Sequence, residues 1–188
     1  MKPAPYGYAR AATLDDVFSL LAEHGEDAKI LAGGQSLMAT LNMRLSEPEV
    51  LIDINRIDVL AGIQDTGDAI RIGAMTRHVD VEVSDVIATH APLITAAMEH
   101  VAHPAIRNRG TFGGSIAFAD PAAEMPACAV ALGATMHIAG KGGTRDIPAA
   151  DFFKGLYETA IGEGEILTAV SVPKITAGWK SGFMELAR

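Results

Sequence analysis

Apolar residues at Leu14, Val17, Leu20 and Leu21 recur at the spacing of one helical face. Thr13 stands where its hydroxyl can cap this helix, Asp16 sits three residues on where a carboxylate can reach back, and Gly25 supplies a stop. A short apolar run, Lys29-Ile30-Leu31-Ala32, then reads as a buried strand that leads directly into Gly33-Gly34-Gln35-Ser36. A helical stretch over about residues 37–45 and a strand over 50–54 complete the order helix, strand, glycine turn, helix, strand. This is a small lobe of βαβ character ending near residue 57.

Beyond residue 57 the pattern is less regular. Two β-like runs, 59–63 and 69–73, flank the turn-forming Asp65-Thr66-Gly67-Asp68. Thr76 is placed to cap a helix over 77–83, and Pro92 to start another running to about Val101, since proline is tolerated in a first helical turn. A second glycine turn, Thr111-Phe112-Gly113-Gly114-Ser115, precedes a helix over 123–132 and a hairpin turning at Gly140-Lys141-Gly142-Gly143. A short Asp151-Phe152-Phe153 segment and a strand from Glu165 to Val172, closed by Pro173, follow. Helices and strands mix without strict alternation, which predicts an α+β class.

Composition narrows the functions. The 188 residues carry 15 Lys and Arg against 23 Asp and Glu, a formal charge of −8, with 49% hydrophobic and 20% charged residues. Such a chain builds a core and is not disordered. Without a basic run it has no footprint for nucleic acid or an acidic membrane, and small anions remain reachable through backbone sites. No apolar stretch approaches a membrane span, and residues 1–5 lead into no signal-like segment, so the chain reads as soluble and cytoplasmic. Cys128 is the only cysteine, which excludes an internal disulfide and an iron–sulfur cluster held by four thiolates of this chain.

The two glycine turns are the candidate chemistry. Paired glycines remove the Cβ atoms that keep a ligand from the main chain and permit positive φ, so that successive N–H groups converge on one anion. Two such turns, each followed by a serine, could hold the two phosphates of a dinucleotide. Neither has the Lys-Ser/Thr of a Walker loop or the three-glycine Rossmann spacing. Read from these residues alone, ligand binding and a mere tight connection both stay open.

Three segments together carry a resemblance: residues 29–37; Ile106-Arg107-Asn108-Arg109-Gly110-Thr111-Phe112-Gly113-Gly114-Ser115-Ile116-Ala117; and Ala119-Asp120-Pro121-Ala122-Ala123-Glu124. They resemble the FAD-binding medium subunit of molybdenum hydroxylases, within the xanthine dehydrogenase family and nearest in look to aerobic carbon monoxide dehydrogenase medium subunits. Ile72-Gly73-Ala74-Met75-Thr76, Asp151-Phe152-Phe153-Lys154-Gly155 and residues 164–173 support it, in order over essentially the whole chain.

The resemblance implies a two-lobed FAD-binding domain of the vanillyl-alcohol oxidase (PCMH) type over residues 1–175, with a small βαβ lobe (1–57) and a larger mixed lobe (58–175). It implies FAD held by Leu31, Ala32, Gly33, Gly34, Gln35, Ser36 and Leu37 of the first turn and by Thr111, Phe112, Gly113, Gly114 and Ser115 of the second. Glu124 falls against the cofactor's sugar-like chain, Leu167 packs on the cofactor, and Val101 and Ala102 lie at the adenine end. The implied role is electron relay: a molybdenum-containing large subunit oxidises substrate, an iron–sulfur small subunit passes electrons on, and flavin delivers them to an external acceptor. No residue of this chain is then catalytic in the acid–base or nucleophilic sense, because the redox chemistry belongs to the cofactor. A scaffold that keeps the fold without binding FAD is the alternative.

Other features carry bland readings beside sharper ones. His100 and His103 have a spacing that could suit a metal but lack companion ligands, so no metal site is expected. Arg107 and Arg109 either approach a phosphate or are helix-end cations, and Asp120 binds ribose or caps a helix. Cys128 reads as a buried small hydrophobe; the methionines at 38, 43, 75, 98, 125, 136 and 184 read as core filling; the role of His78 is open. Family medium subunits continue into a further domain. The strand-like residues 182–188 are therefore expected to begin a truncated C-terminal domain (176–188) whose open edge favours homo-oligomers.

Overall fold

Local chemistry starts the small lobe as the sequence leads one to expect. In the computed structural model, which describes residues 2–186, Thr13 Oγ1 accepts the Asp16 N–H at 3.1 Å, and the Asp16 carboxylate accepts the N–H groups of Thr13 and Ala12 at 2.9 and 3.0 Å. This capping box opens α1 (Leu14–His24), which buries Val17 and Leu21; Gly25 closes it with a φ of +53°. Three strands, β1 (Gly7–Arg10), β2 (Ala28–Leu31) and β3 (Val50–Asp53), pair in parallel in the order β1-β3-β2. Central β3 is buried along its whole length, apolar through Val50, Leu51 and Ile52 and ending on the buried Asp53. β1 was not expected, because Gly-Tyr-Ala-Arg is mostly exposed and shows no alternation. Helix α2 (Leu37–Asn42) joins β2 to β3 and stops short of residue 45.

The large lobe is a five-stranded sheet with helices against one face. Its strands are β4 (Ile63–Asp65), β5 (Ala69–Gly73), β6 (Thr135–Gly140) and β7 (Gly143–Pro148), then, beyond the small ribbon of β8 (Phe153–Gly155) and β9 (Glu158–Thr159), β10 (Glu165–Pro173). They pair antiparallel in the order β4-β5-β10-β6-β7. The helices are α3 (His78–Glu82), α4 (Asp85–His90), α5 (Pro92–Met98), α6 (Pro104–Arg107), α7 (Phe112–Phe118), α8 (Glu124–Ala131) and α9 (Ala149–Phe152). Ile70, Ile72, Met136, Ile138 and Val170 from the sheet meet Ile94, Met98, Phe112, Ile116 and Met125 from the helices in one core. On the opposite face His137 joins three strands, its ring nitrogens 2.7 Å from Asp146 Oδ1 and 2.6 Å from Ser171 Oγ. The lobes share packing, since Met75 and Ile166 belong to the small lobe's cluster with Val17, Ile52 and Leu60.

Several local expectations are corrected. Thr76 caps no helix; it is buried, and its hydroxyl exchanges hydrogen bonds with Gly62 N–H and Gly62 O at 3.0 Å, which leaves Arg77 at the start of α3. The second glycine segment is not a turn: Gly113 and Gly114 lie in the first turn of α7 behind an N-cap at Thr111. Asp120 is not the N-cap of α8, which is Ala123; its carboxylate takes the Ala122 N–H at 2.9 Å in the preceding turn. Met43 and Met184 are exposed rather than core filling. Residues 182–186 form no strand, because Phe183 packs on the large-lobe core with its ring 5.1 Å from that of His100, and Glu185 approaches His100 at 3.6 Å. Ala187 and Arg188 lie outside the described residues.

Candidate functional site

The chain leaves β2 at Leu31 and turns through residues 32–36 into α2. Gly34 takes a φ of +73°, which favours glycine, and Gly33 is buried. A Cβ on Gly33 would run into the Arg109 carbonyl and lie 2.8 Å from Gly110 Cα, so this glycine is what lets the small lobe touch the segment entering α7. The loop's carbonyls are held by side-chain amides. Asn55 Nδ2 donates to Ala32 O at 2.8 Å and to Leu31 O at 3.3 Å, and Gln35 Nε2 donates to Gly33 O at 3.0 Å. Its donors are left open: the N–H groups of Gly33, Gly34, Gln35, Ser36 and Leu37 meet no acceptor among the described residues. Gly33 is buried and Gly34, Gln35 and Leu37 are half-buried, where backbone donors are nearly always partnered, so the row makes a candidate contact for an acceptor-rich ligand.

The second segment is built differently. Thr111 Oγ1 accepts the Gly114 N–H at 3.1 Å. Phe112 N–H donates to Thr76 O at 2.9 Å, Gly113 N–H to Ala74 O at 2.9 Å, and Ser115 N–H to Thr111 O at 3.1 Å. A Cβ on Gly113 would meet Ala74 O at 2.8 Å, so the glycine serves close packing of α7 against the strand-end segment. A Cβ on Gly114 would stand 3.7 Å from the Ala32 methyl, which brings the two glycine segments into van der Waals reach. The first segment therefore presents a donor row and the second a wall. The hydroxyls of Ser36 and Ser115 engage no partner among the described residues.

The other predicted residues divide. Val101 is buried three residues past the end of α5, which stops short of the expected Val101, and Ala102 is exposed with a φ of +43°. Arg107 is committed to the frame: it pairs with Glu82 at 2.8 Å and donates to Val101 O at 3.0 Å. Glu124 opens α8, where burial lifts its carboxyl above the usual carboxylate value, with Glu185 and Asp120 adding to the effect and His100 opposing it. Leu167 is packed in the large-lobe core. Cys128 is buried, and burial with the Glu124 charge pushes its thiol up to about 12. His78 lines no open surface; it is 5% exposed, and neither ring nitrogen has a partner among the described residues.

Sequence reasoning missed Asn55 and Arg77. Arg77 donates through Nη2 to Asn55 Oδ1 at 2.7 Å and through Nη1 to the Arg109 carbonyl. Burial lowers its pKa, with the Arg109 charge adding and Asp80 and Asp53 opposing. The one available signal was a polar residue, Asn55, two positions past the fully buried β3. Two hollows of about 360 and 370 Å³ lie elsewhere, one between α1 and the β6–β7 hairpin and the other beside residues 12–15 and 56–59.

A small parallel lobe and an antiparallel lobe, with an open row of backbone donors at their junction, define a nucleotide-cofactor domain of the two-lobed flavoprotein class. Residues 4–175 match the family described as the FAD binding domain in molybdopterin dehydrogenase, and the chain belongs to that family. It is 42% identical over 188 residues to the 6-hydroxypseudooxynicotine dehydrogenase complex subunit alpha of Paenarthrobacter nicotinovorans, covering 100% of this chain and 64% of that one. Among solved structures it resembles carbon monoxide dehydrogenase from Hydrogenophaga pseudoflava, with a TM-score of 0.92 and 40% identity over 95% of this chain and 62% of that one. Quinoline 2-oxidoreductase from Pseudomonas putida 86 gives a TM-score of 0.90 and 41% identity over 93% of this chain and 61% of that one. The chain thus spans under two thirds of the length of these relatives. No described helix is long and apolar enough to cross a membrane.

Proposed function

We propose that this chain holds FAD in a molybdenum hydroxylase of the carbon monoxide dehydrogenase type. In that assembly a molybdenum-containing large subunit oxidises the substrate and an iron–sulfur small subunit passes the electrons on. When bound, FAD supplies the step between single-electron carriers and an external acceptor. A cytoplasmic location belongs to the same reading.

The observation that carries it is the open N–H row of residues 33–37. Five consecutive open donors leading into α2 suit a pyrophosphate, whose oxygens only accept. Gly33 and Gly34 set the path of the loop, Gly33 by its close contact with Arg109 and Gly110 and Gly34 by its positive φ, while the hydroxyls of Ser36 and Ser115 add donors. Phe112, Gly113 and Gly114 have spent their own N–H groups, and with Thr111, whose hydroxyl takes the Gly114 N–H, they act by shaping the wall opposite. Val101, Ala102, Glu124 and Leu167 complete the proposed contact set at the outer parts of the cofactor. This chain's contribution is to bind, orient and shield, and none of these residues transfers a proton.

The test is reconstitution. The purified chain, mixed with FAD and desalted, is expected to retain flavin absorbance in near one-to-one ratio; a colourless protein with an intact fold would favour the scaffold reading. Adding ADP, which carries the pyrophosphate without the ring, is expected to compete.

A further inference from the structure

A loop that reserves its N–H groups for a ligand cannot use them to hold its own shape, so something else must. In residues 31–37 the grips fall on the carbonyls: Asn55 holds those of Leu31 and Ala32, and Gln35 that of Gly33. Asn55 is itself fixed from behind. Its backbone N–H and its Nδ2 both donate to Asp53 Oδ1, at 2.8 and 2.7 Å. The Tyr8 hydroxyl donates to the other Asp53 oxygen, and Arg10 donates to that hydroxyl at 3.0 Å. From the other lobe, Arg77 closes on the free Asn55 Oδ1 at 2.7 Å and on the Arg109 carbonyl, the group against which Gly33 packs. The chain Arg10, Tyr8, Asp53, Asn55, Arg77, Arg109 thus crosses from the far edge of the small sheet to the segment leading into α7.

We propose that Asn55 and Arg77 form a latch between the lobes that holds the open N–H row in its ligand-accepting shape, making both positioning residues for the cofactor. The inference rests on the FAD reading above. The guanidinium suits the task because its planar fork serves two acceptors at fixed geometry, which a lysine ammonium on a flexible stem does not reproduce. Asn55 suits it because one amide offers donors to the loop and an acceptor to the arginine at once.

The experiment compares the wild-type chain with Arg77→Met, Arg77→Lys, Asn55→Ala and the Asn55→Ala/Arg77→Met pair. Three readouts are taken: FAD affinity by quenching of flavin fluorescence, thermal midpoint without FAD, and the amide signals of Gly33 and Gly34 in FAD-free protein labelled at glycine. Arg77→Met and Asn55→Ala are each expected to weaken FAD about tenfold, the scale of one charge-assisted hydrogen bond. The pair should lose no more than the stronger single variant, because the two act as one unit. Arg77→Lys should recover part of the loss. The Gly33 and Gly34 signals should move in both single variants while those of Gly142 and Gly143 on the distant hairpin stay put. Unmoved Gly33 and Gly34 signals would overturn the latch whether or not flavin binds. So would additive losses in the pair, or an affinity loss no larger than the drop in FAD-free stability explains. Wild-type protein that binds no FAD, with the glycine signals moving as expected, would instead sink the FAD reading and leave the latch standing.

Discussion

His78 gives the fold a stability that depends on pH in a direction its surroundings dictate. The ring is buried, its nitrogens lack partners among the described residues, and a Cβ on Gly110 would stand 3.1 Å from Nδ1. Burial pushes its pKa down to about 4, the Thr111 main chain working against that and the Arg107 charge with it. In the unfolded chain the ring titrates near its ordinary 6.5, so as pH falls the unfolded state takes up the proton first. The contribution of the neutral ring is therefore complete above pH 6.5 and is lost progressively toward pH 4. The full interval corresponds to about 3 kcal/mol, of which about 2 kcal/mol is gone by pH 5. His78→Leu removes the titration and fills a similar volume. At pH 7.5 it should leave stability unchanged or raise it, since no hydrogen bond is broken and two unpartnered polar atoms disappear. Urea unfolding of both proteins at pH 7.5 and 5.0 measures the effect. Asp16, Asp53, Asp65 and Glu165, whose carboxyls are held below their usual values, also weaken the fold on acidification, but they do so in both proteins and cancel in the comparison. The wild type should lose about 2 kcal/mol more than the variant between the two pH values. A gap that does not change with pH would refute the reasoning, because His78 would then titrate alike in both states.

Gly33→Ala drives a methyl into the backbone of Arg109 and Gly110, so it should destabilise the fold by about 1–3 kcal/mol and weaken FAD, as overpacking at a rigid contact does. Gly142→Ala, with nothing within 4 Å of the added methyl, should stay within about 0.5 kcal/mol by the same urea measurement. Cys128, buried with its thiol pushed up to about 12, should react with a thiol reagent only in denaturant; labelling of native protein at pH 8 on the timescale of minutes would contradict its placement.

What was legible in the sequence follows the range of the forces involved. Thr13 and Asp16 announce α1 because a capping box is closed by residues three apart, and the apolar Val50, Leu51 and Ile52 announce β3. β1 was illegible because Gly7 to Arg10 is ordered by its neighbour β3, to which it pairs in register from Gly7 and Val50, and not by any burial pattern of its own. Thr76 misled because a hydroxyl ahead of a helical run reads as a cap, whereas here Gly62, fourteen residues earlier, claims it. Asn55 and Arg77 sit in different lobes and become partners only when the lobes close, so no spacing rule could join them.

The pairing of the two glycine segments is where reading by likeness ran past the physics. Aligned on their glycines, Leu31 falls opposite Thr111, and that difference decides what becomes of the second glycine's N–H. A threonine three residues ahead of Gly114 offers a hydroxyl that takes its N–H and turns the segment into a self-capped helix start. A leucine three residues ahead of Gly34 offers nothing, so its N–H and its neighbours stay open, and the loop must be held by its carbonyls from Asn55 and Gln35. Two similar strings thus yield a donor row and a wall because the second finds acceptors, Thr111 Oγ1 within itself and the Thr76 and Ala74 carbonyls beside it, and the first finds none among the described residues. On the FAD reading proposed above, a pyrophosphate, which only accepts hydrogen bonds, would complete the row and only touch the wall.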